Sequence, residues 1–307
     1  MADSKAKVWG KYLGCMLGSA LGDAVGELAF QFPEESRLRA AIAAAPRLRY
    51  TDDTAMALGL AESLAHKQGL DPQHLGQTWH RHFNREPWRG YASGPPKLFQ
   101  LVEQVGFTYE EAARRLFDGQ GSLGNGAAMR VAPLGLFFQD APDLYDKAAA
   151  SAAVTHAHPL AQDGAALQAL AVAVVVPLNP RNPFPRSACL RRLSGAARTP
   201  ELREKLTMVN ALLKSRVPAA EAARILGKSV LIHESLPFAL YAFLNRPQSF
   251  EGCLMDAVLH GGDRDTLGAM AGAISGAYLG AGAITSLWME KLENRDRIEK
   301  LALALLV

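Results

Sequence analysis

Along most of the chain apolar side chains return every three or four residues, the spacing that places them on one face of a helix. The pattern is clearest over residues 54–66, 127–138, 160–176, 219–226 and 236–244, all rich in alanine or leucine, and it predicts helices there. No segment alternates apolar and polar residues as a half-buried strand does. The one β-branched run, AVAVVVPL, lies at the end of a helical pattern and stops at Pro177. The expected architecture is all-α, built from many short and medium helices.

Two interruptions refine this picture. The stretch PLNPRNPFPR, residues 177–186, holds four prolines that cannot lie inside helices. Because candidate chemistry lies on both sides of it, it is expected to be a connection within one domain spanning residues 1–307. Glycines also repeat every four residues, at Gly10, Gly14, Gly18, Gly22 and Gly26 and again at Gly268, Gly272, Gly276 and Gly280. A glycine inside a helix costs ~1 kcal/mol relative to alanine, so nine at this spacing require an offsetting gain. Residues four apart share a face, and a face without side chains admits another backbone at close range. Two closely packed helices are expected, holding rigidly whatever lies at their ends.

Composition narrows the class. With 307 residues, 49% hydrophobic and 21% charged, the chain can bury a large core. A net charge of +3 and the lack of a long basic run give no argument for nucleic-acid binding. Cys15, Cys189 and Cys253 are odd in number and widely spaced, which suggests neither a disulfide framework nor a zinc site and fits a reducing, cytoplasmic setting. The N-terminus shows no apolar core of a secretory signal. Residues 266–289 carry no charge and are long enough to span a bilayer, but glycine, alanine and serine dominate them, so a buried helix and no membrane contact is expected.

Candidate chemistry concentrates in two acidic stretches, RYTDDTAMALGL from Arg49 and HGGDRDTLGAM from His260. One aspartate before each helix is accounted for as a cap, Asp52 or Asp53 before Thr54 and Asp265 before Thr266. Capping leaves a second aspartate in each loop without a role. Together Thr51, Asp52, Asp53, Asp263, Asp265 and Thr266 supply four carboxylates and two hydroxyls, hard oxygen donors suited to Mg²⁺, Mn²⁺ or Ca²⁺. If the loops meet, four carboxylates repel one another unless cations intervene, and a two-metal centre is the natural partner. Arg264, between two aspartates, is expected to point away from such a centre, toward the cavity rim or a nearby carboxylate.

Three further stretches carry weaker signals. In GQGSLGNGAAMRVAPLGLF, Gly121, Gly124 and Gly126 precede a helix, and such a loop can turn N–H groups toward a phosphate, with Ser122 and Asn125 adding side-chain groups. It matches neither a Walker loop nor a dinucleotide fingerprint. His156 and His158 stand at a helix junction, a position more often structural than ligating. EPWRGYASGPP, with Trp88 and Tyr91, forms either an aromatic pocket wall or a loop packed on the core.

Taken in order, GCMLGSALGDAVGE, YTDDTAMA, RGYASG, GSLGNGAAMRVAPLGL, THAHPLAQDGAALQALAV and GGDRDTLGAMAGAISGAYLG resemble the ADP-ribosylglycohydrolases, most closely the branch that removes ADP-ribose from serine and trims poly(ADP-ribose). The resemblance covers residues 10–176 and 226–281. It implies a compact orthogonal multi-helix bundle, acting as a monomer, with two Mg²⁺ ions (Mn²⁺ as a substitute) between the acidic loops. Thr51, Asp52, Asp53 and Asp265 would hold one ion, and Asp263, Asp265 and Thr266 the other. Gly121, Ser122, Leu123, Gly124, Asn125 and Gly126 would cradle the diphosphate and neighbouring ribose of an ADP-ribose moiety, with Asp52, Gly90, His156 and Val230 lining the rest.

One departure stands out. The family pattern places a glutamate eight residues after the glycine that opens GDAVG, where this chain has Phe30. Glu27 is one helical turn earlier and is a candidate replacement; Asp53 and Asp263 are the other candidates for the catalytic base. The residues also admit an ADP-ribose-binding protein without catalysis, an arginine-linked N-glycosidic hydrolase, and an all-α prenyl-diphosphate synthase, although TDDTA and GDRDT lack the D-D-x-x-D spacing of the last.

Overall fold

The computed structural model describes residues 2–306, with side chains from Val8 onward. Met1 and Val307, the ends of the expected domain span, lie outside the described residues. The chain forms helices α1 (Ala2–Gln31), α2 (Glu35–Ala44), α3 (Asp52–Lys67), α4 (Pro72–Arg85), α5 (Gly94–Val105), α6 (Tyr109–Arg115), α7 (Gly126–Met129), α8 (Ala132–Phe137) and α9 (Leu144–Ala153). It continues through α10 (Pro159–Val175), α11 (Arg186–Ala196), α12 (Pro200–Lys214), α13 (Ala219–Leu226), α14 (Ile232–Asn245), α15 (Phe250–His260), α16 (Arg264–Leu279), α17 (Ser286–Lys291) and α18 (Arg295–Ala304). Strand pairing among the described residues is confined to two isolated bridges, Leu48 with Leu292 and Gly124 with Leu231. The all-α expectation therefore holds.

One expected helix is divided. Residues 127–138 form α7 and α8, separated at Arg130 and Val131. Pro133, in the first turn of α8, has no N–H to donate to residue 129, so the ladder cannot run through. The proline-rich stretch also behaves as a connection inside one core, since Phe184 packs edge-on against Phe243 at 5.2 Å and Tyr278 at 4.9 Å between ring centroids.

The glycine repeats explain the centre of the molecule. Gly14, Gly18 and Gly22 of α1 face Gly276, Gly272 and Gly268 of α16, so the two helices cross antiparallel with backbone on backbone. A Cβ at any of these positions would sit well inside 3.0 Å of the facing carbonyl oxygen. Gly26 continues the seam against the main chain of Arg264 and Asp265, at the first turn of α16. The seam loosens at its end, where Gly280 faces the Gly10 carbonyl at ordinary contact distance and a Cβ on Gly10 would meet nothing within 4 Å. The rest of the core packs around this pair, and residues 266–278 of α16 are buried along their whole length. Among the described residues one helix is long and apolar enough to cross a membrane by length and composition, Val8–Gln31 within α1, and 83% of its most apolar window is buried in the protein.

The seam generates a paired expectation. Gly272→Ala should destabilise the fold by about 1–3 kcal/mol through overpacking, whereas Gly10→Ala should stabilise it by about 0.4–1 kcal/mol through lower unfolded-state entropy. Urea unfolding of the two variants beside the parent protein measures both, and equal effects at the two positions would contradict the seam.

Candidate active site

The N-termini of α3 and α16 and the loop leading into α7 meet around one cavity. What starts α3 at Asp52 is a carboxylate from another helix: Asp23, fully buried in α1, accepts the N–H groups of Thr51 and Thr54 at 3.0 Å and their hydroxyls at 2.8 and 2.6 Å. These N–H groups belong to the residue before the helix and to its third residue, the positions a side-chain cap serves. Capping by Asp52 or Asp53, expected from the sequence, is thereby overturned, and both carboxylates are released toward the cavity. At α16 the carboxylate of Asp265 accepts only the adjacent Thr266 N–H, at 2.9 Å, while Asp263 makes no capping bond.

The glycine-rich loop is clamped from three sides. Asn125 donates its side-chain N–H to Asp263 Oδ2 at 2.6 Å, which ties the loop to the second acidic stretch. Its backbone N–H donates to Val230 O at 2.9 Å, and Ile232 N–H donates to Leu123 O at 3.3 Å. Gly121 turns at φ +74° and lies so close to Ala157 and the His158 N–H that a side chain would displace them. Gly262 and Asp263 donate their N–H groups to Lys228 O at 3.0 and 3.1 Å, which fixes the entry to α16.

The resulting cavity has a volume of about 510 Å³. Asp52, Asp53, Asp263, Asp265 and Thr266 line its acidic end, and Gly121, Ser122, Leu123, Gly124, Asn125, Gly126, His156, Gly90 and Val230 line the remainder. Thr51 does not face the space directly; its hydroxyl is bonded to Asp23 and lies 3.3 Å from Asp53 Oδ2. Glu27 is exposed on α1 and absent from the wall, although the segment stays helical as its candidacy required. Phe30 is also exposed. Arg264 turns away from the cavity, but onto the last carbonyls of α15, Val258 O at 2.5 Å and Leu259 O at 3.1 Å, rather than to the rim or a carboxylate.

Three residues that line or brace the cavity escaped the sequence reading: Asp23, Arg130 and Thr155. Asp23 and Arg130 left a trace, each being a lone charge in an otherwise small or apolar run, SALGDAVG and AAMRVAPLG. Nothing in the sequence distinguishes Thr155 from a capping threonine.

The carboxylates strain against one another. Burial first, then the charge of Asp23, pushes Asp52 up to about 7. Burial and then Asp263 push Asp265 up to about 8. Asp53 is raised well above the usual carboxylate range by burial and by all four neighbouring aspartates, and its Oδ1 is buried without a hydrogen-bond partner. Burial raises Asp263 against the hydrogen bond from Asn125, and burial raises Asp23 to about 6 despite its four donors. Among the described residues no three histidine, cysteine or carboxylate side chains close into a ready-made cage. The acidic wall instead leaves coordination positions for water or ligand oxygens, which suits Mg²⁺, an ion that usually keeps several waters. An orphaned buried carboxylate oxygen, mutually raised carboxyls and an all-oxygen donor set fit a hard divalent cation.

These shifts set a stability profile. Carboxyls raised from 3.8 in the unfolded chain toward 8 hold protons in the folded state that the unfolded chain has lost, so stability falls as pH rises through that interval. In chelator, Asp265→Asn should therefore be more stable than the parent protein near pH 8 and no more stable near about pH 4. Urea unfolding at several pH values tests this, and a difference independent of pH would refute the repulsion.

Comparison with known proteins agrees with this geometry. The family model for ADP-ribosylglycohydrolase matches residues 4–307. The protein named ADP-ribosylhydrolase ARH3 from Homo sapiens is 33% identical over 288 residues, covering 84% of this chain and 78% of its own length, and the Gallus gallus protein of that name is 32% identical over 286 residues, covering 83% and 77%. A solved structure described as an ADP-ribosylglycohydrolase-related protein complex superposes with a TM-score of 0.74 at 29% identity, covering 98% of both chains. Helical seam, cavity and full-length match lead to one assignment: the chain belongs to the ADP-ribosylglycohydrolase family, on the ARH3 side of it, and is a glycosidic-bond hydrolase.

Proposed function

We propose that the protein hydrolyses the O-glycosidic bond between ADP-ribose and a serine side chain or the next unit of an ADP-ribose polymer, and that it requires Mg²⁺. The observation that carries this reading is the polarity of the cavity: a carboxylate wall at one end and a clamped glycine loop at the other. In that loop the N–H groups of Gly121, Gly124 and Asn125 are engaged by Leu116 O, Ser122 Oγ and Val230 O. Those of Ser122, Leu123 and Gly126 are the donors left for a diphosphate, and at the N-terminus of α7 they add to a partial positive charge.

With the diphosphate there, the distal ribose reaches the acidic end. Asp52, Asp53, Asp263, Asp265 and Thr266, with Thr51 behind them through its contact to Asp53, would hold two Mg²⁺ ions, which when bound supply a template for the ribose hydroxyls and Lewis acidity. Asp263 is the base this geometry favours, because it lines the cavity while the side-chain N–H of Asn125 holds its Oδ2 in place. Its carboxylate takes a proton from water as the water oxygen attacks the anomeric carbon. The bond to the leaving oxygen breaks through an oxocarbenium-like state, and the leaving hydroxyl takes its proton from solvent. A carboxyl raised above the usual range is closer to neutral pH, where a general base works best.

The assay is release of ADP-ribose from serine-linked, arginine-linked and polymeric substrates, with Mg²⁺ or with EDTA. Release from the O-linked substrates is expected only with Mg²⁺; unimpaired release in EDTA, or release from arginine alone, would overturn the proposal. Asp52→Ala should abolish release while the variant stays folded, and Asp263→Asn should lower kcat by about 10²–10⁴-fold. Glu27→Gln should leave the rate unchanged, because the side chain does not reach the cavity.

A further inference from the structure

Arg130 is one of the largest fully buried side chains, 2% exposed, and the carboxylate whose charge reaches it is Asp52, with no salt bridge formed between them. A buried unpaired cation costs several kcal/mol, so its retention calls for a counter-charge. The guanidinium stacks on the Trp79 ring at 4.0 Å, touches Met56 Sδ at 3.7 Å, and donates from Nη2 to Thr155 Oγ1 at 2.6 Å. Thr155 Oγ1 in turn lies 2.7 Å from His156 Nδ1. Arg130, Thr155 and His156 all line the cavity, and the Nε2 edge of His156 lies over Gly126 and Gly124.

Hydrogen-bond inventory decides the direction of this chain. An arginine only donates, so the threonine oxygen accepts from Arg130 and keeps its own hydrogen to give. The acceptor within reach of that hydrogen is His156 Nδ1, which takes it when the nitrogen carries no proton. A nearby positive charge also polarises the hydroxyl and strengthens it as a donor. Burial, reinforced by the charge of Arg130, holds the imidazole well below its usual range and therefore neutral. Its single ring proton is left on Nε2.

We propose that Arg130 and Thr155 are positioning residues that fix His156 as its Nε2–H tautomer, so that the ring presents a hydrogen-bond donor to the diphosphate end of the cavity. The ligand half of this inference rests on the ADP-ribose reading above; the tautomer half rests on geometry alone. The bound anion would also add to the partial counter-charge that Asp52 gives Arg130.

The test uses the full chain labelled with ¹⁵N-histidine, compared by NMR in the ligand-free state among the parent protein, Thr155→Val and Thr155→Ser. In the parent and Thr155→Ser, His156 is expected to show an unprotonated Nδ1 and a protonated Nε2. Thr155→Val, close in shape but without the hydroxyl, should mix the tautomers and weaken ADP-ribose binding by roughly tenfold in calorimetry, with Thr155→Ser near the parent value. Arg130→Met should raise the pH at which His156 titrates, whereas Arg130→Lys, which keeps the charge, should leave it near the parent value. A protonated Nδ1 in the parent protein, or a Thr155→Val variant unchanged in both tautomer and affinity, would overturn the proposal. If the parent protein fails to bind ADP-ribose while the tautomers respond as stated, the functional reading falls and the hydrogen-bond chain stands.

Discussion

The close crossing of α1 and α16 is the constraint on which the site depends. Its glycines remove every side chain from the contact, so the backbones of two long helices fix each other's position to within a carbonyl radius. Asp23 leaves α1 one residue after Gly22 and nucleates α3, while Gly26 abuts the first turn of α16. One helix pair thus places both acidic stretches at once. A seam with side chains would tolerate repacking and let the stretches drift; a backbone seam cannot shift without collision.

That rigidity is spent on an unfavourable arrangement. Burial raises five aspartates, the charges of neighbouring aspartates raise Asp52, Asp53 and Asp265 further, and one carboxylate oxygen of Asp53 has no donor. Such a cluster opposes folding at neutral pH and persists only because the surrounding packing over-determines it. Strained acidity of this kind marks a site built for cations and an anionic, hydroxyl-rich substrate rather than for stability. Arg130 is the complementary case, a buried positive charge held by an aromatic face and a hydroxyl rather than by a carboxylate.

Sequence and structure agree most closely where chemistry is local. The helical periodicity predicted residues 219–226 as they occur and placed α3, α10 and α14 within a few residues, because an apolar stripe can be buried in only one way on a helix. Where an expectation failed, a residue inside the segment or a neighbour in space had changed the local balance. Pro133 split α7 from α8, and Asp23 took over the capping that Asp52 and Asp53 would otherwise perform. Glu27 stayed helical as its candidacy required, yet its face of α1 looks to solvent.

From the order of residues alone came the all-α class, the close glycine packing and the membership of both acidic stretches in one site, since each follows from residue type and spacing along a single helix or from motifs kept in order. The tertiary structure decided which carboxylates face the cavity, that Asp23 rather than a local aspartate caps α3, and that Arg130, Thr155 and His156 join in one hydrogen-bonded line. These contacts link residues as much as 31 positions apart, and the Asn125–Asp263 bond spans 138. A hydrogen bond between distant residues depends on how the helices cross, and that crossing exists only once the whole core has packed.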